Sequence, residues 1–374
     1  MRVLVVNAGS SSLKLRLLDE QDRLLAAADL PVPRGAADVA AIAAALAGMG
    51  TVDAVGHRIV HGGTIYSAPV FLDADVEAHL RALIDLAPLH QPKSLAALAA
   101  VQAVLPDVPA VACFDTAFHA GMSAAAATYA LPREWRSRWE LRRFGFHGLS
   151  HAYVARRAAE LLGSPASLRL VSCHLGAGCS LAAIRDGRSL DTTMGFTPLE
   201  GLVMATRSGS VDPGLMLWLE EHMGMPPAEL GAALEERSGL LGLSGRADMR
   251  EVLVAAAKGE PEASLAVAVF LHRLRAGIAA MAAALDGIDA LVFTGGIGEN
   301  APEIRAGAAT GLSFLGVALD PHRNGARTGD REIGLAGAAV RVLVIEARED
   351  LQIAREVRDV LGAEPLSSPS PGAA

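Results

Sequence analysis

The sequence predicts an α/β fold made of two related domains, and three observations support this. Apolar strand-like runs alternate with Ala/Leu-rich helical segments through most of the chain, which is typical of α/β proteins. A strand, a turn of small residues and a returning strand occur twice. At 374 residues, the chain is also too long for one simple core.

The first hairpin opens the chain. Residues 3–6 form a short β-branched apolar run, and residues 13–17 alternate in the pattern of a half-buried strand. The turn between them contains Gly9 and three serines and is flanked by Asn7 and Lys14. Small residues let backbone N–H groups converge on one anion, and hydroxyls and a lysine add donors. The turn therefore suits a phosphate, although an ordinary hairpin with a serine-rich turn explains this stretch nearly as well.

A second copy of this pattern favours the phosphate interpretation. Residues 170–181 again place a small-residue turn between two apolar runs, and Ser12-Leu13 and Ser180-Leu181 are taken to occupy equivalent positions. A third small-residue turn, residues 294–300, follows the apolar run 290–293. Three such turns at strand ends point to a nucleotide, with two related domains sharing it.

The hydrophobic pattern predicts further elements. The candidate strands are Ala54–Val60, Ala110–Phe114, Leu168–Cys173, Ala290–Phe293 and Val340–Ile345. The candidate helices are Asp75–Ala87, Ser94–Val104, Ser150–Leu162, Asp248–Ala257, Ser264–Leu285 and Arg348–Leu361. We expect residues 1–118 and 348–374 to form the first domain, closed by the last helix, and residues 119–347 to form the second.

The composition narrows the class of protein. A net charge of −8 argues against nucleic acid or an anionic membrane as the main partner, and 4% aromatic residues argue against platforms that stack bases. The apolar segment Ser264–Leu285 contains His272, Arg273 and Arg275, so we expect a core helix and no membrane span. Three cysteines without a CxxC pair predict neither disulfides nor a zinc site. With no recognisable signal peptide, the expected compartment is the cytoplasm.

Two arginines lie in settings that suit anions. Arg58 lies near the end of the candidate strand Ala54–Val60 and precedes His61-Gly62-Gly63, and Arg207 lies between Thr206 and Ser208-Gly209. An arginine fork binds carboxylate or phosphate through paired N–H bonds, so two arginines could neutralise a transferring phosphoryl group and an anionic acceptor together. For either arginine alone, a structural or surface ion pair is the simpler interpretation.

Three further residues are candidates for chemistry. His147 lies between two glycines, where a ligand could reach it, although it could also cap a helix near Ser150. Asp115 ends a predicted buried strand, where α/β proteins place ligand groups, but aspartate is also a common cap. Glu349 could bind a hard cation, or could simply be a favourable acid in a first helical turn.

In their order along the chain, these motifs resemble those of the acetokinase family, within the sugar kinase, Hsp70 and actin superfamily. The matching segments are VLVVNAGSSSLK at 3–14, HRIVHGG at 57–63, APLHQP at 87–92, CFDTAFH at 113–119, RRFGFHGLSH at 142–151, CHLGAG at 173–178, DTTMGFTPLEGLVMATRSG at 191–209, SGLLGLSG at 238–245 and LVFTGGIGEN at 291–300.

The resemblance implies a fold and a reaction. The fold is α/β, with two duplicated ribonuclease-H-like (actin-like ATPase) domains of a ββββαβαα type, a cleft between them, and a homodimer. The reaction is reversible transfer of the ATP γ-phosphate to acetate, giving acetyl phosphate and ADP, with Mg²⁺ and with Mn²⁺ as a possible substitute. The partners are then small molecules, without nucleic acid or membrane.

The resemblance also implies roles for individual residues. Catalysis would involve Arg58, Asp115, His147 and Arg207, with Arg58 also binding the substrate. The methyl pocket would comprise Val60, Leu89, Phe146 and Pro198. Metal-associated positions are Asn7 and Glu349. Nucleotide and phosphate contacts are Ser10, Ser12, Lys14, His174, Leu175, Gly176, Ala177, Gly178, Asp248, Met249, Arg250, Gly296, Ile297, Gly298, Glu299 and Asn300.

The chain departs from the family pattern in the same regions. Ala177 replaces a usual asparagine, Ala205 a usual glycine and Met249 an aromatic residue, while Arg348 and Asp350 flank Glu349 where asparagine and glutamate are common. Two alternatives therefore stay open. One is a propionate or butyrate kinase of the same family, because one methylene changes discrimination by only about 1–3 kcal/mol. The other is a non-catalytic nucleotide-binding regulatory module.

Overall fold

The computed structural model describes residues 1–9, 12–31, 38–86, 91–164, 167–326 and 329–362. It divides into two compact units. The first comprises Met1–Ala117 and resumes at Glu349, whereas the second is continuous over Phe118–Arg348.

The strands, in chain order, are β1 (Val3–Ala8), β2 (Ser12–Leu18), β3 (Leu24–Pro31), β4 (Ala54–Ile59), β5 (Val70–Phe71), β6 (Ala110–Phe114), β7 (Arg169–Leu175), β8 (Cys179–Arg185), β9 (Arg188–Thr192), β10 (Ala290–Thr294), β11 (Arg331–Glu332) and β12 (Arg341–Val344). The α-helices are α1 (Val39–Ala47), α2 (Ala74–Ala82), α3 (Gln91–Val104), α4 (Ala124–Ala127), α5 (Arg133–Trp139), α6 (Gly148–Leu161), α7 (Pro213–Met223), α8 (Pro227–Glu236), α9 (Gly239–Ser244), α10 (Met249–Ala257), α11 (Pro261–Ala284), α12 (Gly295–Asn300), α13 (Pro302–Thr310), α14 (Pro321–Gly325) and α15 (Glu349–Gly362).

Each unit contains one mixed six-stranded sheet, and the two sheets have the same topology. The strand order is β3-β2-β1-β4-β6-β5 in the first unit and β9-β8-β7-β10-β12-β11 in the second. In both, an antiparallel meander is followed by two parallel strands and one short antiparallel strand. The predicted α/β class and the duplication are therefore confirmed.

Two details of the predicted duplication are wrong. The main elements of the first unit run β-β-β-α-β-α-β-α, with three strands before the first helix, and not ββββαβαα. The register also corrects the hairpin equivalence. Asn7 pairs with Lys14 and His174 pairs with Ser180, so Ser180 corresponds to Lys14 and not to Ser12. The cause is turn length, because four residues lie between the paired Ala8 and Leu13, whereas three lie between the paired Leu175 and Cys179.

Helix α15 closes the first sheet on one face. A Cβ atom at Gly56 of β4 would lie 2.5 Å from a side-chain carbon of Ile353 and 2.7 Å from one of Val357, so the helix packs directly on the strand. On the other face, Val55 and Ile59 join a buried apolar cluster that includes residues of α1 and α3. This packing fixes the ends of β1, β4 and β6, where the polar residues of the first unit lie.

Two elements differ from the sequence-based expectation. Ser150 does not cap α6, because the helix begins at Gly148 and Ser150 lies inside its first turn. The predicted glycine-rich turn after β10 is instead the short helix α12, which starts directly after Thr294. Helix α11 is long and apolar enough to cross a membrane by length and composition, a test that core helices also pass. It packs against α9, α10 and β8 of the second unit.

His57 on β4 is buried in an unfavourable way. Its side chain is 1% exposed, and both ring nitrogens lack a hydrogen-bond partner among the residues that the structure describes. Burial lowers its pKa to about 3. The unfolded chain therefore takes up a proton as the pH falls through about 6.5, whereas the folded unit takes it up only near 3. The free energy of unfolding therefore falls as the pH drops from about 6.5 towards 3, and His57 adds no pH dependence above this window.

We expect His57→Leu to stabilise the first unit and to weaken its acid sensitivity. Below about pH 6, the slope of the free energy of unfolding against pH should be smaller by about 1.4 kcal/mol per pH unit, because unfolding then takes up one proton fewer. Amide hydrogen exchange in β1 and β4 measures this directly. The exposed His272→Leu in the second unit should leave that slope unchanged. An unchanged slope in His57→Leu would mean that the ring is protonated in the folded state.

Candidate active site

Four polar residues of the first unit converge at the carboxyl ends of its parallel strands. Asn7 lies near the end of β1, Arg58 near the end of β4, Asp115 directly after β6 and Glu349 at the start of α15. Arg58 Nη2 donates to Asp115 Oδ2 at 2.6 Å, and its Nε lies 3.1 Å from both carboxylate oxygens. Arg58 Nη1 donates to Asn7 Oδ1 at 3.1 Å, and Asn7 Nδ2 donates to Glu349 Oε2 at 2.8 Å.

Burial makes the charges of this cluster interdependent. The side chains of Arg58 and Asp115 are 15% and 2% exposed. Burial and the nearby Glu349 raise the pKa of Asp115 to about 6, against the opposing effect of Arg58. Burial alone would lower the pKa of Arg58, but Asp115 and Glu349 outweigh it and raise that pKa. Arg58 is thus a fixed cation whose orientation depends on Asp115.

The donor set of this cluster fits a hard divalent cation with few protein ligands. Among the described residues, no group of three or more His, Cys, Asp or Glu side chains could hold a metal. Mg²⁺ commonly uses one or two carboxylates together with waters and substrate phosphates. Glu349 and Asp115 supply two carboxylates, while the side-chain oxygen of Asn7 already accepts from Arg58.

In the second unit, Arg207 and His147 meet around Gly178. A Cβ atom at Gly178 would lie 2.8 Å from Arg207 Nη2 and 3.1 Å from His147 Nε2, so glycine is needed for both side chains to approach this turn. Arg207 Nη1 donates to the carbonyl of Pro198 at 2.5 Å, and its Nε lies 3.9 Å from Glu235 Oε2. Burial lowers the pKa of Arg207, which Glu235 partly offsets.

His147 is held in an unusual backbone conformation. Its φ of 56° lies in the left-handed region, directly before the first residue of α6. Its ring stacks on His174 with centroids 4.4 Å apart. His147 Nδ1 lies 3.0 Å from Ser180 Oγ, and His174 Nδ1 lies 2.8 Å from Ser150 Oγ. Such strain concentrates at functional sites, where surrounding contacts must maintain it.

A cavity of about 750 Å³ lies beside the second turn, within the range of small-molecule sites. Of the predicted nucleotide residues, those that line it are Gly176, Ala177, Asp248, Met249, Arg250, Gly296, Ile297 and Asn300. Leu175 and Gly298 are buried. His174 stacks on His147, and Gly178 lies against His147 and Arg207. The carboxylate of Glu299 instead accepts backbone N–H bonds from Gly295 and Ala347.

The sequence analysis did not single out a buried arginine that hydrogen-bonds to α12, a helix whose residues line this cavity. Arg305 on α13 is 1% exposed, and its Nη1 donates to the carbonyls of Gly298 and Glu299 at 2.8 and 2.9 Å. Its other nitrogens bond to Asn324. The cation thus holds the last carbonyls of α12, where a helix favours positive charge. Nothing in the local sequence distinguishes it from a surface arginine.

The remaining predicted residues are placed as follows. Ser10 and Leu89 lie outside the described residues. Ser12 begins β2, and Lys14 is exposed on the same strand. The three described residues of the predicted methyl pocket, Val60, Phe146 and Pro198, are each buried.

Comparison with known proteins gives a consistent result. The model of the acetokinase family matches residues 35–355. The chain belongs to the acetokinase family. It is 47% identical to an acetate kinase of Deinococcus deserti over 97% of the chain and 99% of that protein. It is 52% identical to one of Gloeobacter violaceus over 82% of the chain and 76% of that protein.

Solved structures agree in fold. A Porphyromonas gingivalis acetate kinase is 36% identical, with a TM-score of 0.88 over 96% of this chain and 99% of that chain. A Francisella tularensis propionate kinase, also 36% identical, has a TM-score of 0.89 with the same coverage. The family assignment made from the sequence motifs is therefore confirmed, and with it the assignment to the phosphotransferases that use a carboxyl acceptor and ATP.

Two departures from the family pattern lie together in the cavity wall. The backbone N–H of Ala205 donates to the carbonyl of Ala177 at 3.0 Å, and both residues line the cavity. Met249, the third departure, also lines it and is the first residue of α10. Ala177, Ala205 and Met249 thus line the same cavity.

Proposed function

We propose that the chain catalyses reversible, direct transfer of the γ-phosphate of ATP to acetate, giving acetyl phosphate and ADP. The observation that carries this proposal is the pairing of Arg207 and His147 around Gly178, beside a cavity of nucleotide size. The relatives named acetate kinase support the choice of acceptor.

The proposed chemistry needs no general base. A small carboxylic acid with a pKa near that of glutamate, about 4.3, is ionised at neutral pH. A carboxylate oxygen of acetate forms a bond to the γ-phosphorus, and the bond to the bridging oxygen breaks, with ADP leaving as an anion. Repulsion between the anions and misalignment are the barriers, so fixed cations and donors are what the site must supply.

Each residue then has one role. Arg58 binds and neutralises the acetate, and Asp115 orients Arg58 through the bidentate pair without removing a proton. Arg207 and His147 stabilise the equatorial oxygens of the transferring phosphoryl group. Glu349, with Asn7 beside it, would hold Mg²⁺, which would supply positive charge to offset that of the phosphates. In this proposal the first unit carries the acetate side and the second unit carries the nucleotide.

A hydroxylamine trap tests the proposal directly. The protein is incubated with ATP, Mg²⁺ and acetate, and acyl phosphate is captured as the hydroxamate, with propionate and butyrate run in parallel. We expect the highest kcat/KM with acetate. Highest turnover with a longer acid would move the assignment to a sister kinase, in line with the propionate kinase neighbour. No product with any acid, in a protein that binds ATP, would favour the regulatory alternative.

Val60 is expected to limit the size of the acceptor. It is 6% exposed and follows the strand that carries Arg58. Val60→Ala removes two methyl groups and should raise the propionate-to-acetate ratio of kcat/KM by about 10-fold. This is the lower end of the discrimination that one methylene gives in an apolar pocket. The buried Val101→Ala in α3 is the matched control and should leave the ratio unchanged. An unchanged ratio in Val60→Ala would exclude Val60 from the pocket.

We also propose a homodimer in the cytoplasm. No residue of α7 is buried, and Leu217, Trp218 and Met223 are 58%, 48% and 63% exposed, so this helix presents an apolar face that a second copy would cover. Light scattering should give twice the chain mass, and Leu217→Glu should halve it. Phe314→Glu, at another exposed apolar position, should not.

The three cysteines are free and buried, which suits a reducing compartment.

A further inference from the structure

A buried row of alternating serines and histidines leads to His147 from inside the second unit. Ser180 Oγ lies 3.0 Å from His147 Nδ1 and 2.8 Å from His151 Nε2. His151 Nδ1 in turn lies 2.9 Å from Ser172 Oγ. Ser172, Ser180 and His151 are fully buried, so solvent does not complete their hydrogen bonds.

The far end of the row fixes its direction. Within the described part of the chain, His151 Nδ1 is the one hydrogen-bond partner of the Ser172 hydroxyl. A buried hydroxyl with one partner donates its proton to it, because an unused donor costs more than an unused lone pair. His151 Nδ1 therefore accepts. Burial, with His119 and His174 nearby, lowers the pKa of His151 well below 6.5, so the ring is neutral and its proton is on Nε2.

The direction then passes through Ser180 to His147. The His151 Nε2–H donates to Ser180 Oγ, which leaves the single Ser180 proton for His147 Nδ1. Because His147 Nδ1 accepts, it carries no proton, so the single ring proton is on Nε2 and the ring is neutral. That nitrogen is on the side of the ring that faces Gly178, where Arg207 Nη2 also lies.

A second contact holds the backbone at His147 in place. His119 Nε2 donates to the carbonyl of Phe146 at 3.1 Å, and Ser189 Oγ lies 2.7 Å from His119 Nδ1. A carbonyl can only accept, so the proton of this neutral ring is also on Nε2. His119 and His151 are thus neutral rings that each donate a hydrogen bond from Nε2.

We propose that Ser180, with His151 and Ser172 behind it, is a positioning residue that holds neutral His147 as its Nε2–H tautomer, so that a proton donor always faces the phosphoryl position beside Arg207. The identity of the oxygen that receives this donor rests on the proposed kinase function. The tautomer itself does not, because it follows from the hydrogen-bond pattern alone.

Nitrogen-15 NMR of histidine-labelled protein tests the tautomer without turnover. His147→Gln identifies the resonances by their loss, and at neutral pH the wild-type ring should show a protonated Nε2 and an unprotonated Nδ1. In Ser180→Ala, Nδ1 loses its donor and the two tautomers should both be populated. A protonated Nδ1 in the wild type, or an unaltered Nε2–H tautomer in Ser180→Ala, would overturn the proposal.

Kinetics separate positioning from a general structural effect. Ser180→Ala should lower kcat by about 10- to 100-fold, by analogy with the loss of groups that orient metal-binding histidines, with KM for ATP and acetate changed less than about threefold. Ser180→Thr, which restores a hydroxyl, should recover most of the activity. Ser94→Ala, which removes a buried hydroxyl with no partner among the described residues, is the matched control. Unchanged kcat in Ser180→Ala would contradict the role.

Ser172→Ala tests whether the far end of the row influences His147. It also provides a test of the proposal if Ser180→Ala fails to fold. The Ser172 hydroxyl bonds to His151, and its loss removes the donor that orients this ring, so a smaller shift of the His147 tautomer in the same direction is expected. If the wild type makes no acetyl phosphate, the proposed function fails while the NMR result still decides the tautomer. An unshifted His147 tautomer in Ser172→Ala would restrict the effect to Ser180 and refute the row.

Discussion

Replacing Arg207 by alanine should lower kcat by about three to five orders of magnitude, the range in which an arginine accelerates phosphoryl transfer. The guanidinium lies beside His147 at Gly178, and the carbonyl of Pro198 holds one of its nitrogens. It therefore costs no reorganisation when charge develops on the phosphoryl oxygens. The measurement is single-turnover formation of acyl phosphate at saturating ATP and acetate.

Controls for Arg207 separate charge from geometry. Arg207→Lys keeps the charge but loses the planar fork, and should recover only part of the rate. Arg188→Ala, at an exposed position on β9, should be fully active. All three tryptophans lie in the second unit, so urea unfolding followed by tryptophan fluorescence reports whether Arg207→Ala leaves that unit folded. A kcat within tenfold of the wild type would rule out the proposed role.

Breaking the Arg58–Asp115 pair should cost the first unit about 3–5 kcal/mol of stability as well as activity. Asp115 is nearly fully buried and accepts three contacts from Arg58 within 3.1 Å. Asp115→Ala removes the carboxylate that pairs directly with the buried Arg58 and leaves the more distant Glu349, 3.7 Å from Nε, as its carboxylate neighbour, so the loss of this partner is costly. Amide exchange in β1, β4 and β6 measures the loss.

A double substitution distinguishes stability from function at this pair. Arg58→Met with Asp115→Leu removes both charges together and should restore most of the stability lost in Asp115→Ala, while kcat stays at background. The tryptophan signal of the second unit serves as the internal control. If the double variant were as unstable as Asp115→Ala, the damage would come from packing and not from an unpaired charge. Acyl phosphate formation by the double variant would remove Arg58 from substrate binding.

Local signals explain what the sequence predicts well. The apolar runs of β1 and β7 and the turns after them follow from side-chain alternation and small residues, which act over a few positions. Asp115 and Arg58 could be singled out because they lie at the ends of buried strands, where parallel sheets expose ligand groups. The repeated hairpin then predicts the duplicated sheet.

Contacts between distant segments explain what the sequence could not predict. Ser150 fits the pattern of a helix cap, but in the fold it bonds His174, twenty-four positions away. Arg305 and the row from Ser172 to His147 have no signature, since their partners are brought together by the packing of α6 on β7 and of α13 on α12. The hairpin equivalence failed because a one-residue difference in turn length leaves the sequence motif intact but shifts the paired residues.

The discontinuity of the first unit has a consequence for biosynthesis. Asn7, Arg58 and Asp115 leave the ribosome before the second unit, residues 118–348, whereas Glu349 and the rest of α15 leave after it. At about 5–20 residues per second, the earlier part waits roughly 10 to 50 seconds with the face of β4 at Gly56 uncovered. Chaperones therefore have a defined window and a defined surface, and nascent chains arrested before Glu349 should be cleaved by protease in β4, whereas chains released in full should resist.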